Sequence, residues 1–199
     1  MTHTDGRIAG LLLAAGGGRR LGGRPKALLT HRGRPLVEHA AEALRAGGCG
    51  PVHVVVGARA EEVRERAGLG GCVVVENPDW AEGMGSSLRV GLESLAGAGV
   101  RAALVCLVDQ PGIGASAVAR IVDGFRDEFS LVSAAYDGVR GHPVLFGSAH
   151  WAGIAASASG DRGARAYLRA HEDAVTLVEC ADVAEPYDID TEADLSRLE

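Results

Sequence analysis

The chain has 199 residues, of which 29 are glycine, and a formal net charge of −6. This length predicts one domain over residues 1–199, with a core from about residue 7 to residue 198. The glycines follow no G-X-Y period, which excludes collagen, and they alternate with apolar runs, which argues against wholesale disorder. The acidic balance argues against a general nucleic-acid-binding surface. No apolar run approaches the roughly 20 residues of a membrane span, so neither nucleic acid nor a membrane is an expected partner.

The cysteine pattern indicates a reducing compartment. Cys49, Cys72, Cys106 and Cys180 form no C-x-x-C pair, so neither a zinc ribbon nor a thioredoxin-like motif is supported. Cys72 and Cys106 lie in apolar runs and are predicted to be core thiols. A domain of this size needs no disulfide framework, and the short apolar run 8–15 lacks a clean cleavage site. We therefore expect a cytoplasmic protein.

Apolar runs and glycine stops divide the chain into alternating strands and helices. The predicted strands, in chain order, are Ile8–Leu13, Val52–Val56, Cys72–Val75, Ala102–Val108, Leu131–Ala135, Val144–Phe146 and Val175–Glu179. The predicted helices run from Pro35 to the Gly47-Gly48 stop, and over Glu61–Ala67, Ser86–Leu95 and Ala115–Phe125, with further helices opening near Gly160 and after Thr191.

This order of elements predicts the architecture. Strands that alternate with helices indicate one three-layer, Rossmann-like α/β domain, with a mostly parallel central sheet and helices on both faces. Ligands of such sheets bind beyond the carboxyl ends of the strands. The loops after the first, third and fourth strands, at residues 14–26, 76–80 and 109–111, should therefore meet at one crevice.

The charges along the chain are strongly segregated. Residues 6–37 contain seven basic residues and no acidic one, whereas the C-terminal segment is crowded with aspartate and glutamate. A cationic segment inside an acidic protein favours a small anionic ligand. The alternative is two solvated faces of opposite sign.

The first loop fails both common phosphate-binding motifs. Gly16 and Gly18 fit the dinucleotide pattern G-x-G-x-x-G, but Leu21 stands at the third glycine position. A Walker A loop is not formed either, because Gly23-Arg24 follow where Lys-Ser/Thr is required. The physical requirement is still met, since successive glycines let N–H groups face one anion while arginine and lysine supply charge. A plain glycine-rich turn is the alternative.

Asp109 is the candidate metal ligand that its position after a predicted strand indicates. It follows the apolar strand Ala102–Val108 directly and should therefore face the crevice. Mg²⁺ is commonly held by one or two carboxylates together with substrate phosphates and water. The alternative is an aspartate that caps a turn or a helix.

A resemblance adds to this interpretation. Leu13-Ala14-Ala15-Gly16, Arg20-Leu21-Gly22 and Pro25-Lys26 resemble the signature loop of the nucleotidyltransferases with a glycosyltransferase-A-like fold, and within them the molybdenum cofactor cytidylyltransferase group. Later segments follow in the family's order, so that the resemblance runs from Leu11 to Leu195: 77–88, Asp109-Gln110-Pro111, Gly141-His142-Pro143, 160–165 and 188–195. The chain departs from the pattern at Gly18, usually serine, at Leu21, usually methionine, and in the added glycine of Gly22-Gly23.

The resemblance implies a reaction and its participants. The expected reaction transfers CMP from CTP to the phosphate of molybdopterin or the molybdenum cofactor and releases pyrophosphate, with Mg²⁺ or Mn²⁺ as the metal. CTP is favoured over GTP because Ala15 stands where guanylyl-transferring relatives tend to have glycine. The expected partners are CTP, a pterin-phosphate cofactor, and a client molybdoenzyme or its chaperone.

The resemblance also implies a role for individual residues. The catalytic set is Lys26, Arg20 and Asp109. The nucleotide-binding set is Ala14, Ala15, Gly16, Gly17, Gly18, Arg19, Asn77, Gly83 and Ser87. The acceptor-binding set is Met84, Ser86, Gln110, Pro111, His142, Pro143, Asp161 and Arg165. The metal ligands are Asp109 and Asp190, with Asp188 as the runner-up. Ordinary structural roles remain as alternatives, such as a helix-entry position for Asp190, an N-cap for Asp161 and a turn for His142.

Other functions remain open at this point. A related nucleotidyltransferase could use GTP, or act on a sugar phosphate or methylerythritol phosphate. A nucleotide-binding domain without turnover is a second alternative. A dinucleotide-dependent oxidoreductase is disfavoured by Leu21 and by the lack of an acidic residue after the strand that ends at Val56. Hydrolases lack support because neither G-x-S-x-G nor H-E-x-x-H occurs.

Overall fold

The computed structural model describes residues 8–198, so Arg7 and both ends of the predicted domain lie outside the described residues. The strands are β1 (Ile8–Ala14), β2 (Thr30–His31), β3 (Arg34–Pro35), β4 (Val52–Val56), β5 (Val73–Glu76), β6 (Ala102–Leu107), β7 (Leu131–Tyr136), β8 (Val139–Gly147) and β9 (Val175–Glu179). The α-helices are α1 (Leu36–Ala46), α2 (Ala60–Arg66), α3 (Met84–Ser94), α4 (Ala115–Val122), α5 (Trp151–Ser157) and α6 (Arg165–Ala170).

The central sheet has seven strands in the order β5-β4-β1-β6-β8-β7-β9. β1 pairs in parallel with β4 and with β6, while β8 is antiparallel to both β6 and β7. The sheet is therefore mostly parallel, as the sequence predicts. β2 and β3 form a separate two-stranded ribbon.

Helices cover both faces of the sheet and divide the core in two. β1 is buried along its whole length, and its side chains alternate between the faces. Leu12 packs with residues of α1, α2 and α4, whereas Leu11 packs with residues of α3, α5 and α6. We name these clusters the α1 side and the α3 side. The predicted three-layer α/β fold is confirmed.

Several elements differ from their predicted form. α4 ends at Val122 rather than Phe125, because Gly124 and Phe125 donate to carbonyls only three residues back and so form a tight turn. The predicted strand Val144–Phe146 is the buried part of the longer β8. α5 was not predicted, and it buries only Ile154. The segment after Thr191 is a 3₁₀ helix, Glu192–Leu198.

The cysteines follow their prediction in part. Cys49, Cys106 and Cys180 are buried and free of disulfides. Cys72, predicted in the core, is only half-buried, and its sulfur accepts a hydrogen bond from Arg45 at 3.2 Å. None of the helices within residues 8–198 combines the length and apolar character needed to span a bilayer.

The sheet order places a crevice beside β1. The chain leaves β1 toward β4 on one side, and β6 then pairs on the other side. A change of direction of this kind opens a gap at the carboxyl ends of the two strands, where α/β proteins bind ligands. The loop after β1 and residue Asp109 after β6 flank that gap.

Candidate functional site

A cavity of about 1200 Å³ opens at the carboxyl ends of β1 and β6. Its walls come from four segments: the loop Gly16–Arg20 with Lys26, residues 80–88, the start of β8, and residues 161–169. Asp109, Asp188 and Asp190 also line it. The three loops expected to meet do contribute, although the loop after β5 contributes only from Trp80 onward.

The glycine-rich loop is closed by a tight turn at Gly18. Gly18 adopts a left-handed conformation with φ 58°, and its carbonyl accepts from Leu21 N at 2.8 Å and Gly23 N at 3.0 Å. A Cβ on residue 18 would lie 1.9 Å from the Arg24 carbonyl oxygen. A serine at this position would therefore collide with the backbone of this longer loop, which explains the departure from the family pattern. The buried Leu21 anchors the turn in the core.

One lysine joins the two candidate metal ligands. Lys26 Nζ lies 2.7 Å from Asp109 Oδ2, and it also donates to Asp190 Oδ1. The fold fixes this approach because the neighbouring Ile189 is buried and its N–H donates to the Asp109 carbonyl at 2.8 Å. The C-terminal segment is thereby held beside β6, and its carboxylate meets the one that follows the strand.

The environment shifts the pKa of both partners. Burial raises the pKa of Asp109, and the attraction of Lys26 opposes this shift only in part. Burial alone would lower the pKa of Lys26, but Asp109 and Asp190 together hold it above 10.5. The ammonium group therefore stays charged at neutral pH. It is a cation fixed between two carboxylates.

This donor set fits a divalent metal bound together with a substrate. The Lys26 ammonium demonstrates that one cation can reach both Asp109 and Asp190. Within residues 8–198 no group of three or more histidine, cysteine, aspartate or glutamate side chains is arranged to hold a metal. Mg²⁺ is usually bound by one or two carboxylates, with phosphate oxygens and water completing its shell. Asp109 and Asp190 are the residues that would hold it.

Asp188 has a different partner from Asp190. Its Oδ1 accepts a hydrogen bond from Gln110 Nε2 at 2.8 Å. The Gln110 Oε1 atom is buried and has no hydrogen-bond partner among the described residues. Asp188 lines the cavity without sharing the lysine, so Asp190 is the one placed to act with Asp109.

Asn77 joins the end of β5 to the start of α3. It is fully buried, and its Nδ2 donates to Ser86 Oγ at 2.8 Å and Ser87 Oγ at 2.9 Å. Its Oδ1 accepts from Asp79 N at 3.0 Å. These bonds occupy the amide with the protein itself. Asn77 therefore positions the α3 terminus that carries Gly83 and Ser87 into the cavity wall.

The wall formed by β8 presents a neutral histidine. Burial, together with the nearby charge of Arg165, lowers the pKa of His142 to about 4. Its carbonyl oxygen accepts a hydrogen bond from Tyr136 Oη at 2.6 Å, which ties β8 to β7 at the cavity. His142 offers this cavity an uncharged imidazole at neutral pH.

Most of the predicted site residues meet in this cavity. Those that line it are Ala15, Gly16, Gly17, Gly18, Arg19, Arg20, Lys26, Gly83, Met84, Ser87, Asp109, Gln110, His142, Asp161, Arg165, Asp188 and Asp190. Those that do not are Ala14, Asn77, Ser86, Pro111 and Pro143. Ala14, Asn77, Ser86 and Pro143 are buried in the fold around the cavity, and Pro111 lies half-buried beside it.

Sequence reasoning did not single out three arginines of the cavity wall. Arg140, Arg162 and Arg169 line it beside the predicted Arg165. Arg169 had a detectable signal, because it follows Arg165 by one helical turn. Arg140 had none, because β8 begins five residues before the predicted strand Val144–Phe146.

Comparisons with known proteins agree with this geometry. The MobA-like NTP transferase domain matches residues 10–175. The chain is 42% identical over 198 residues to the nicotine blue oxidoreductase of Paenarthrobacter nicotinovorans, covering 96% of each protein. It is 40% identical over 107 residues to a molybdenum cofactor guanylyltransferase of Cereibacter sphaeroides, covering 53% of this chain and 51% of that protein.

Solved structures are similar over almost the whole chain. An Rv0371c homolog from Mycobacterium sp. strain JC1 superposes with a TM-score of 0.83 at 31% identity, covering 97% of this chain and 95% of that one. Rv0371c of Mycobacterium tuberculosis H37Rv, crystallised as a complex with manganese, gives a TM-score of 0.77 at 26% identity and covers 96% and 97%. A divalent metal is thus recorded for a protein of this fold.

Proposed function

Because the chain belongs to the MobA-like NTP transferase family, we propose that it transfers CMP from CTP to the phosphate of molybdopterin or its metal-loaded form. Pyrophosphate is the second product. The observation that carries the proposal is the Lys26 ammonium held between Asp109 and Asp190, in the same cavity as the glycine-rich loop. That arrangement combines the phosphate-binding and metal-binding groups that nucleotidyl transfer requires.

The reaction needs positioning and charge neutralisation rather than a protein nucleophile. An oxygen of the acceptor phosphate attacks the α-phosphorus of CTP in line, and a new P–O bond forms. The bond from the α-phosphorus to the bridging oxygen breaks, and its electron pair leaves with pyrophosphate. Asp109 and Asp190 would hold a divalent metal, and that metal would supply charge neutralisation at the phosphate oxygens.

The residues of the loop after β1 hold the triphosphate. Gly16, Gly17 and Gly18 line the cavity, and successive glycine N–H groups of this kind suit the oxygens of one phosphate. Arg19 and Arg20 are exposed at its rim and add positive charge. Lys26 neutralises the phosphate that becomes the leaving group.

The acceptor binds on the other side of Asp109. β6 lies between β1 and β8, so the loop and the start of β8 flank the end of β6 from opposite sides. His142 of β8 and Gln110, which follows Asp109, line the same cavity. The unpartnered Gln110 Oε1 suits a donor group of the acceptor.

The test is a panel of nucleoside triphosphates with molybdopterin as acceptor and pyrophosphate release as the readout. We expect release with CTP only when both the acceptor and Mg²⁺ or Mn²⁺ are present. Equal turnover with a sugar phosphate or methylerythritol phosphate would contradict the assignment of the acceptor. Faster turnover with GTP would contradict the assignment of the nucleotide, which rests on Ala15 alone.

A reductase is the second candidate, and it is favoured by the full-length similarity to nicotine blue oxidoreductase. The cavity supports it less well than nucleotidyl transfer. A dinucleotide fold places a carboxylate after the second strand of its sheet to bind the ribose. Here that strand is β4, and Gly57 follows it. A Cβ on residue 57 would lie 2.5 Å from Trp80, so a carboxylate side chain does not fit there. Oxidation of NADH or NADPH with nicotine blue as acceptor, followed at the nicotinamide absorbance, separates the two candidates.

A further inference from the structure

An aromatic side chain packs against the glycine-rich loop inside the cavity. Among residues 8–198, the phenylalanine, tyrosine and tryptophan side chains that line the cavity are Trp80, Tyr136 and Phe146. Tyr136 and Phe146 are buried in β7 and β8. Trp80, which lies between β5 and α3, is only half-buried. A partly exposed aromatic ring in a ligand cavity offers a surface on which a flat group of the ligand can rest.

Two glycines fix the position of the Trp80 ring. A Cβ on Gly17, in the loop after β1, would lie 2.9 Å from Trp80 Cζ3, at the far edge of the ring. A Cβ on Gly57, directly after β4, would lie 2.5 Å from Trp80 Cβ and 2.9 Å from Ala15 Cβ. Trp80 therefore reaches from the end of β4 to the loop after β1, and this close approach requires glycine at both places.

The two tryptophans of the chain use their indole N–H groups differently. Trp151 Nε1 donates to the Phe146 carbonyl at 2.9 Å, and Trp151 does not line the cavity. The Trp80 Nε1 atom is neither hydrogen-bonded nor enclosed within residues 8–198. A tryptophan that only fills the core usually satisfies its N–H, as Trp151 does. Trp80 instead keeps a free donor as well as a partly open ring.

The position of Trp80 suits one part of the nucleotide. Under the proposed function, on which this inference rests, the loop after β1 holds the triphosphate. β4 and β6 flank β1 on opposite sides. Asp109 follows β6, whereas Trp80 packs between the loop and the residue that follows β4. We propose that the nucleobase of the donor nucleotide stacks on the indole ring of Trp80.

Stacking of this kind supplies affinity without selecting a base. Every nucleobase has a π-face, so an aromatic platform binds all of them. Trp80 therefore strengthens the binding of any nucleoside triphosphate that the loop accepts, and the choice between CTP and GTP is left to other contacts. Inorganic triphosphate has no base and gains nothing from Trp80.

Tryptophan fluorescence tests this contact directly. In the variant Trp151→Phe, Trp80 is the sole tryptophan. The probes are the unreactive α,β-methylene analogues of CTP and GTP and inorganic triphosphate, each with Mg²⁺, and calorimetry gives their affinities. We expect a bound nucleotide analogue to quench the emission of Trp80. Inorganic triphosphate should bind without quenching it.

Variants at residue 80 separate stacking from support of the loop. Trp80→Leu keeps an apolar side chain between the two glycines but removes the aromatic face. Affinity for the CTP analogue should fall about tenfold or more, while affinity for inorganic triphosphate stays the same. Trp80→Phe should recover most of the loss. Trp151→Leu is the matched control and should change neither affinity, because Trp151 lies outside the cavity lining.

Equal weakening of the CTP analogue and inorganic triphosphate by Trp80→Leu would overturn the inference, because Trp80 would then only support the loop. Binding of the analogue without any change in Trp80 fluorescence would also overturn it, and this result does not depend on the folding of Trp80→Leu. If only the GTP analogue binds, cytidylyl transfer is contradicted, and the same comparisons made with GTP decide the role of Trp80. If neither analogue binds more tightly than inorganic triphosphate, the proposed function and this inference both fail.

Discussion

Lys26 Nζ donates a hydrogen bond of 2.7 Å to Asp109 Oδ2, although the two residues are 83 positions apart in the chain. The same ammonium also reaches Asp190. Side-chain exposure is 16% for Lys26 and 21% for Asp109 but 44% for Asp190, so the pair is sheltered while its third member opens to the cavity. Lys26 therefore competes for the two carboxylates that would hold a divalent metal.

Replacing Lys26 with methionine should lower kcat/KM by about 10²–10³-fold, because a group that neutralises transition-state charge is lost. Affinity for Mn²⁺ without nucleotide should instead rise about tenfold, since the competing cation is gone. Calorimetry with Mn²⁺ measures this. Arg24→Met is the control, because Arg24 pairs with the exposed Glu192 outside the cavity. Weaker Mn²⁺ binding by Lys26→Met would contradict the competition.

Asp109→Asn and Asp190→Asn should each weaken Mn²⁺ binding by at least about tenfold, because each removes one of two carboxylate ligands. Asp188→Asn should have little effect, since Asp188 accepts from Gln110 rather than from Lys26. Electron paramagnetic resonance of bound Mn²⁺ distinguishes the three variants. A larger loss for Asp188→Asn than for Asp190→Asn would reverse the assignment of the second ligand.

Gly16→Ala should separate ligand binding from folding. A Cβ on Gly16 meets nothing within 4 Å, so the free energy of unfolding should stay within about 0.5 kcal/mol of that of the parent protein. CTP affinity should fall about tenfold or more if a phosphate rests against this glycine. Gly22→Ala, whose Cβ also meets no atom within 4 Å, is the matched loop control, apart from its strained φ of 67°. Unchanged CTP affinity in Gly16→Ala would place the phosphate elsewhere.

Asn77→Ala should lower the free energy of unfolding by about 2–4 kcal/mol, because buried partners of the amide lose their hydrogen bonds. Urea unfolding measures the loss. Asn77→Asp keeps the acceptor for Asp79 but removes both donors. Its free energy of unfolding should lie between that of the parent protein and that of Asn77→Ala. A raised KM for CTP with an unchanged unfolding curve would show instead that Asn77 contacts the nucleotide directly.

Acid should destabilise the protein partly through His142. Its pKa is lowered from 6.5 to about 4 by burial, so below pH 6.5 the unfolded state binds a proton that the folded state does not. The neutral His142 makes its full contribution to the free energy of unfolding above pH 6.5, and this contribution decreases as the pH falls toward 4. By pH 5 the loss is about 2 kcal/mol.

Urea unfolding of His142→Asn at pH 7 and pH 5 tests that contribution. The variant should lose about 2 kcal/mol less than the parent protein between these values. Part of the slope should remain, because burial also lowers the pKa of His53. Identical slopes in both proteins would mean that His142 is protonated in the folded state at pH 5.

The sheet and most of the cavity could be predicted from sequence because their signals are local. Each buried strand is an apolar run, and its carboxyl end carries the loop or aspartate that faces the crevice. Val52–Val56 and Val175–Glu179 keep their predicted bounds. The antiparallel direction of β8 could not be predicted from the sequence, because a strand's partners depend on the chain around it rather than on its own residues.

The features missed are those set by tertiary packing. Asn77 and Ser86 stand in a motif-rich segment, yet the fold turns both side chains toward each other and away from the cavity. Arg140 of β8 lines the same cavity as Arg162, Arg165 and Arg169 near α6, and no spacing in the chain relates these two places. Only the folded arrangement brings their charges together.

The measurement that tests the central claim most directly is phosphorus NMR of CTP, Mg²⁺ and molybdopterin with the purified protein. We expect the CTP signals to be replaced by free pyrophosphate and by two mutually coupled resonances of a new diphosphate ester, with Lys26→Met inactive. If the CTP and acceptor signals instead persist, and the protein reduces nicotine blue with NADH or NADPH, nucleotidyl transfer is contradicted.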